Sequence, residues 1–208
     1  MIQIENLSLT IGKAEILKDI NLNLESGKIH GLIGRNGSGK TMLMKCICGF
    51  VHPTAGTIQV DGKYVGKDMD FPEDMGVIIE TPEFISYMSG FQNLKLLAKG
   101  RKQIGDKEIC EVMETVNLNP QSRLHVKKYS LGMRQRLGIA QAIMEHPKLL
   151  VLDEPLSSLD EEGVQDVRKI LLEMKQRGVM IILSSHNAED INVLCDEVYR
   201  LQQGCLAK

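Results

Sequence analysis

Apolar and polar positions alternate at the start of the chain, with Ile2, Ile4 and Leu7 in one stretch and Ile20, Leu22 and Leu24 in a second, which closes on a turn at Glu25-Ser26-Gly27. Alternation of this kind predicts strands with one buried face. Two apolar runs at 29–33 and 75–79 predict further strands, and LLVL before Asp153 and VMIIL before Ser184 read as strands buried on both faces. A turn at 53–56 leads into GTIQVDGK, a short hairpin about Asp61-Gly62. Between about 83 and 145 the texture changes. Stretches at 92–99, 106–116 and 130–145 are helix-like, with no convincing strand among them. An amphipathic helix follows at 161–177, with Val164, Val167, Leu171 and Met174 on one face and Gly178 closing it. The tail, 198–206, predicts two short strands around Gln203-Gly204. The pattern is that of an α/β protein with an N-terminal antiparallel β part and an inserted helical lobe. It forms one domain over 1–208, with a core of 1–82 and 146–208 and a lobe of about 83–145.

Composition narrows the choices. A chain of 208 residues, 43% of them hydrophobic, can bury a substantial core. With 25 Lys plus Arg against 27 Asp plus Glu there is no basic excess for nucleic acid, and few aromatics and no Trp disfavour a base-stacking surface. No run of 18 apolar residues occurs, and MIQIENLSL lacks the features of a signal peptide, so a cytoplasmic location is expected. The five cysteines form no CxxC pair and are read as reduced thiols, with neither a disulfide nor zinc.

The chemistry begins at GRNGSGKT, residues 34–41, between the 29–33 strand and a helix-competent segment. Gly34, Gly39, Lys40 and Thr41 fit the P-loop spacing. Glycines at 34, 37 and 39 let Arg35, Asn36, Ser38 and their neighbours turn N–H groups inward at a helix N-terminus, a cradle for phosphate. Lys40 would reach the β- and γ-phosphates and Thr41 would ligate Mg²⁺, with Met42 continuing into the helix. The plain alternative is a glycine turn. Asp153 and Glu154 end an apolar strand, where adjacent carboxylates are costly without a cation. Asp153 would hold Mg²⁺ and Glu154 would orient water as general base; solvated acids at a strand end are the alternative. His186 ends the next buried strand and could hydrogen-bond the γ-phosphate or the water, although a lone histidine there is more often structural. Ser130, in YSLGMRQR, is a candidate N-cap at a helix start.

The order GRNGSGKT, YSLGMRQ, LLVLDEP, SSLD and SSH, with a helical lobe between the first two, resembles the ATP-binding subunit of an ABC transporter over essentially the whole chain. The resemblance implies ATP and Mg²⁺ as cofactors and two cassettes that sandwich two ATP molecules head to tail. Ser130, Gly132 and Gln135 fall in the family's signature, which contacts the nucleotide of the second copy; Leu131 and Met133 depart from it. Residues 157–160, ending in Asp160, match the segment crossing that interface, and His186 matches the switch histidine. The family's adenine-stacking aromatic is replaced by Ile11, and its strand-end glutamine by Glu80, a carboxylate that could still bind Mg²⁺ or its water. Glu80 and SLGMRQRLGIA are similar to a narrower group, the exporter ATPases of bacitracin resistance and lantibiotic immunity. A permease on the inner face of the membrane would dock near Glu80, Phe84 and Tyr87, where Ile85 and Met88 also fall; the alternative for this apolar set is lobe core. Rival readings are an ATPase of another transporter, a soluble ATPase of the same family acting without a permease, and a P-loop phosphotransferase.

Overall fold

The computed structural model describes residues 1–101 and 104–207. The chain opens on a long antiparallel hairpin, β1 (Ile2–Ile11) with β2 (Ala14–Leu24). The interval between Ile4 and Leu7 breaks strict alternation, and a bulge accounts for it. Asn6 at φ +50° and Asp19 at φ +45° each take a left-handed backbone, so that Leu7 and Leu17 return to the buried side. The displaced amides keep partners: Asn6 N–H donates to Asn21 Oδ1 at 2.9 Å and Asp19 N–H to Ser8 Oγ at 3.1 Å.

Next come β3 (Ile29–Ile33) and α1 (Lys40–Ile47), then the hairpin of β4 (Ala55–Val60) and β5 (Lys63–Tyr64) around Asp61-Gly62. β4 also pairs with β1, completing a four-stranded antiparallel sheet of order β2-β1-β4-β5. After β6 (Met75–Ile78) the chain forms α2 (Gly90–Arg101), α3 (Asp106–Thr115) and α4 (Leu131–Ile143), where the helical patterns lie. The remainder is β7 (Leu149–Leu152), α5 (Glu161–Gln176), β8 (Met180–Ser184), α6 (Ala188–Leu194), β9 (Glu197–Gln202) and β10 (Cys205–Leu206). α6 was not expected: seven residues carry too little periodicity, and it is recognisable by its Asn187 cap, whose Oδ1 accepts from Glu189 N–H at 2.8 Å.

The second sheet has six strands in the order β10-β9-β3-β8-β7-β6, parallel except for β10. Its central strands are apolar throughout because both faces are covered. Leu149, Val151, Met180 and Ile182 face a core shared with the antiparallel sheet and α1, while Leu150, Leu152, Ile181 and Leu183 face α4, α5 and α6. Leu94, Ile109, Met113 and Leu137 of the helical lobe belong to that second core, so lobe and sheet share one apolar cluster. On α5, Val167, Leu171 and Met174 are buried as expected, Val164 is half-buried, and Arg168 is buried with them. All five cysteines are free; burial pushes the thiols of Cys46 and Cys48, within and just after α1, up to about 11 and about 12.

α4 seats on β6 with no room to spare. A Cβ on Gly76 would lie 1.9 Å from the Ala142 carbonyl oxygen, and one on Gly138 would lie 2.5 Å from Pro82 Cγ. Backbone cannot give way as a side chain can. Gly76→Ala is therefore expected to destabilise the protein by about 3 kcal/mol, the upper end of overpacking penalties, as read by urea unfolding. A loss below about 1 kcal/mol would show that α4 can lift off β6.

Candidate functional site

Four neighbouring strands of the parallel sheet, β3, β8, β7 and β6, end on the same edge, and each delivers one part of the site. β3 runs into the glycine loop, β8 into Ser185-His186, β7 into Asp153-Glu154, and β6 into Glu80. Ligands of open α/β sheets lie outside the carboxyl ends of the strands. Here a cavity of about 450 Å³ opens at that edge, lined by residues 36–42 together with Asp153, Glu154, His186 and Ile16. Asn36, Gly37, Ser38, Gly39, Lys40, Thr41 and Met42 thus meet the two acids and the histidine in one place. Gly34 lies beneath the loop. Its φ of +154° and a would-be Cβ 2.3 Å from Leu201 O leave glycine as the residue that fits. Lys40 is buried and folds its ammonium back onto the carbonyls of Gly34 (2.8 Å) and Arg35 (3.4 Å). Arg35 itself is exposed.

Thr41 Oγ1 donates to Asp153 Oδ2 at 2.5 Å, joining α1 to the end of β7. Glu154 holds a left-handed backbone at φ +51°, an arrangement that costs of order 1–2 kcal/mol and is sustained by its surroundings. Its N–H donates to Ser184 Oγ at 3.0 Å, and its carbonyl accepts from Ser157 Oγ at 3.1 Å. The Glu154 carboxylate meets His186 twice, Oε2 with the backbone N–H at 3.3 Å and Oε1 with Nε2 at 3.1 Å. The second contact is close but lacks hydrogen-bond geometry, which leaves Oε1 a buried acceptor without a donor. Ser38 Oγ is likewise buried and unpartnered. Two residues that line one cavity each carry an unpartnered polar atom, which fits a polar ligand that would draw on them.

The segment bearing His186 is tied down from behind. Arg168, 4% exposed, donates from Nε and Nη2 to Asp190 Oδ1 at 3.0 and 2.6 Å and from Nη1 to Glu189 at 2.9 Å. Asp190 Oδ2 in turn accepts from Ser185 Oγ at 2.9 Å. The Glu189 carboxylate, and then Asp190, hold the guanidinium above its usual range, and Arg168 holds the Glu189 carboxyl below its own. Sequence reasoning missed this network. Its signal was Arg168 itself, one turn after Val164 on a face otherwise apolar.

The other expected residues lie around this centre. Ser130 caps α4, accepting from Met133 N–H at 3.1 Å, and Gly132 lies against the Ser158 carbonyl. Gln135 is buried, with its amide given to Pro155 O at 2.8 Å. Asp160 caps α5, accepting from Gly163 N–H at 3.0 Å. None of these lines the glycine-loop cavity. Glu80, at φ +63°, pairs with Lys45 at 2.5 Å and borders an adjoining cavity of about 270 Å³ with Leu131, Arg134, Ser157 and both strand-end acids. Ile11 stands exposed at the tip of the first hairpin, whereas the missed Ile16 lines the main cavity. Phe84 packs inward on the core while Tyr87 is 66% exposed, which divides the apolar set in that loop. No helix among the described residues is long and apolar enough to cross a membrane.

Comparison with known proteins agrees with this geometry. The family model for ABC transporters matches residues 17–157. The uncharacterized ABC transporter ATP-binding protein YybJ of Bacillus subtilis is 44% identical over 99% of this chain and 94% of its own. The bacitracin transport ATP-binding protein BcrA of Enterococcus faecalis is 39% identical over 100% of this chain and 68% of its own. Among solved structures, the dimeric bacterial ABC transporter cassette MJ0796 superposes with a TM-score of 0.90 at 21% identity, covering 100% of this chain and 97% of that one, which speaks to the fold. With fold, motif order and relatives in agreement, the chain belongs to the ABC transporter family as an ATP-binding, ATP-hydrolysing subunit.

Proposed function

We propose that Glu154 is the general base of ATP hydrolysis, and that the chain drives a separate permease exporting a peptide antibiotic. The observation that carries the catalytic reading is the buried, donorless Glu154 Oε1, set in the cavity of the glycine loop beside His186. A water in that cavity would have the Glu154 carboxylate, 24% exposed, to receive its proton. His186, contacting both carboxylate oxygens, keeps that acceptor aimed and is the second catalytic group.

The donor set suits ATP with Mg²⁺. Residues 34–41 would hold the triphosphate, with Lys40 exchanging its two carbonyl contacts for phosphate oxygens. Thr41 and Asp153, an oxygen pair already in contact, are hard ligands for Mg²⁺, which would neutralise charge between the β- and γ-phosphates. Glu80 is the third candidate: its exposed pair with Lys45 is weak enough, roughly 0.2–1 kcal/mol, to be exchanged. Met42, Ile16 and the exposed Ile11 provide aliphatic surface at the cavity and its approach for the base.

Ser130 and Gly132 lie outside their own chain's glycine-loop cavity, which supports a second cassette as their target. In a head-to-tail pair, the start of α4 and the segment ending in Asp160 would face the partner's nucleotide. MJ0796, solved as a dimer, supports the presence of a second cassette. The permease contact is assigned to the region of Glu80, Phe84 and Tyr87, of whose apolar set Tyr87 is the exposed member, with residues 83–145 as the responding lobe. That contact would hold the subunit on the inner membrane face. Cargo of the bacitracin or lantibiotic kind is supported by the likeness to BcrA and by Glu80 together with the SLGMRQRLGIA signature.

Glu154→Gln is expected to bind ATP normally and form a stable ATP-dependent dimer in size-exclusion chromatography, with turnover reduced by about 10²–10⁴. Unchanged turnover would reject the general-base role. Tyr87→Glu, reconstituted with the permease, should abolish transport while basal ATPase activity stays intact. Equal loss of both would place Tyr87 in the fold rather than at the contact.

A further inference from the structure

One fully buried polar side chain at the nucleotide edge is still without a role. Ser184 is the last residue of β8 and is 0% exposed. Its hydroxyl donates to Asp153 Oδ1 at 2.6 Å and accepts the Glu154 N–H at 3.0 Å. A single oxygen thus orients the carboxylate of one acid and the backbone of the next. Strand register brings it there: Leu152 pairs with Leu183, so the residues that follow, Asp153 and Ser184, lie side by side.

Asp153 is held on both oxygens, but the two holders differ. Thr41, on Oδ2, lines the cavity and can turn to a ligand; Ser184, on Oδ1, is enclosed and lines no part of it. Resting on the reading of Asp153 as a Mg²⁺ group, we propose that Ser184 is a positioning residue for the cation site. It keeps the Asp153 carboxylate aligned when Thr41 gives up its contact, and through the bond it accepts from the Glu154 N–H it holds Glu154 in its left-handed backbone. Carboxylates around metals depend on such outer hydrogen bonds, and losing one typically weakens binding 10–100-fold. Removing the hydroxyl also leaves the Glu154 N–H without its acceptor.

The test uses Mn²⁺ as the probe, titrated by electron paramagnetic resonance into the full chain saturated with a non-hydrolysable ATP analogue. Ser184→Ala is expected to weaken Mn²⁺ binding by about 10–100-fold, while analogue binding in EDTA is unchanged. Ser184→Thr, which keeps the hydroxyl, should restore Mn²⁺ binding, and Ser184→Val, of nearly the same shape as Thr, should not. The Thr and Val pair alone decides the matter if the Ala variant does not fold. Native Mn²⁺ affinity in Ser184→Ala or Ser184→Val would overturn the proposal, as would equal loss in the Thr and Val variants, which marks packing rather than the hydroxyl. Failure of the native chain to bind Mn²⁺ with the analogue, by contrast, would overturn the reading of Asp153 itself and this role with it.

Discussion

The candidate site depends on the Asp153 carboxylate and the two hydroxyls that hold it. Thr41 reaches it from α1 and Ser184 from β8, so one side chain ties together the helix behind the glycine loop and two strands. A charged group partly removed from water is costly unless its oxygens are satisfied. Here satisfaction and assembly are the same act: the bonds that make the carboxylate tolerable also set the distance between the glycine loop and Glu154. Glu154 follows directly, and its unusual backbone persists because Ser184 and Ser157 grip it from either side.

The parallel sheet makes this arrangement possible. Central strands covered on both faces leave their C-terminal ends as the place where polar groups can emerge, and parallel pairing aligns those ends. Function-bearing residues far apart in sequence therefore meet without long loops. The backbone conformations of Glu80 and Glu154, both left-handed, mark where the chain leaves regular structure to present a carboxylate.

Much of this was legible in the sequence. The glycine loop, the acids closing an apolar run and the histidine after a buried strand are local patterns, and the three lobe helices and two tail strands carry their own periodicity. What escaped was non-local or too short. Ser184 and Ser185 read as the tail of a strand, because nothing in VMIILSS reveals that one hydroxyl meets Asp153 and the other Asp190. Arg168 went unremarked because periodicity cannot name its partners, Glu189 and Asp190, on α6. Ile16 was missed because its place at the cavity depends on how the first hairpin lies against the glycine loop, which no local pattern states.

The seat of α4 on β6 carries one more consequence. Gly76 meets the Ala142 carbonyl, and Gly138 meets Pro82, two residues beyond Glu80, with no compressible side chain between backbone and backbone in the first contact and only a rigid ring in the second. Such a joint has no backlash. A displacement of the strand end would therefore press on α4, and a tilt of α4 would press back on the strand end.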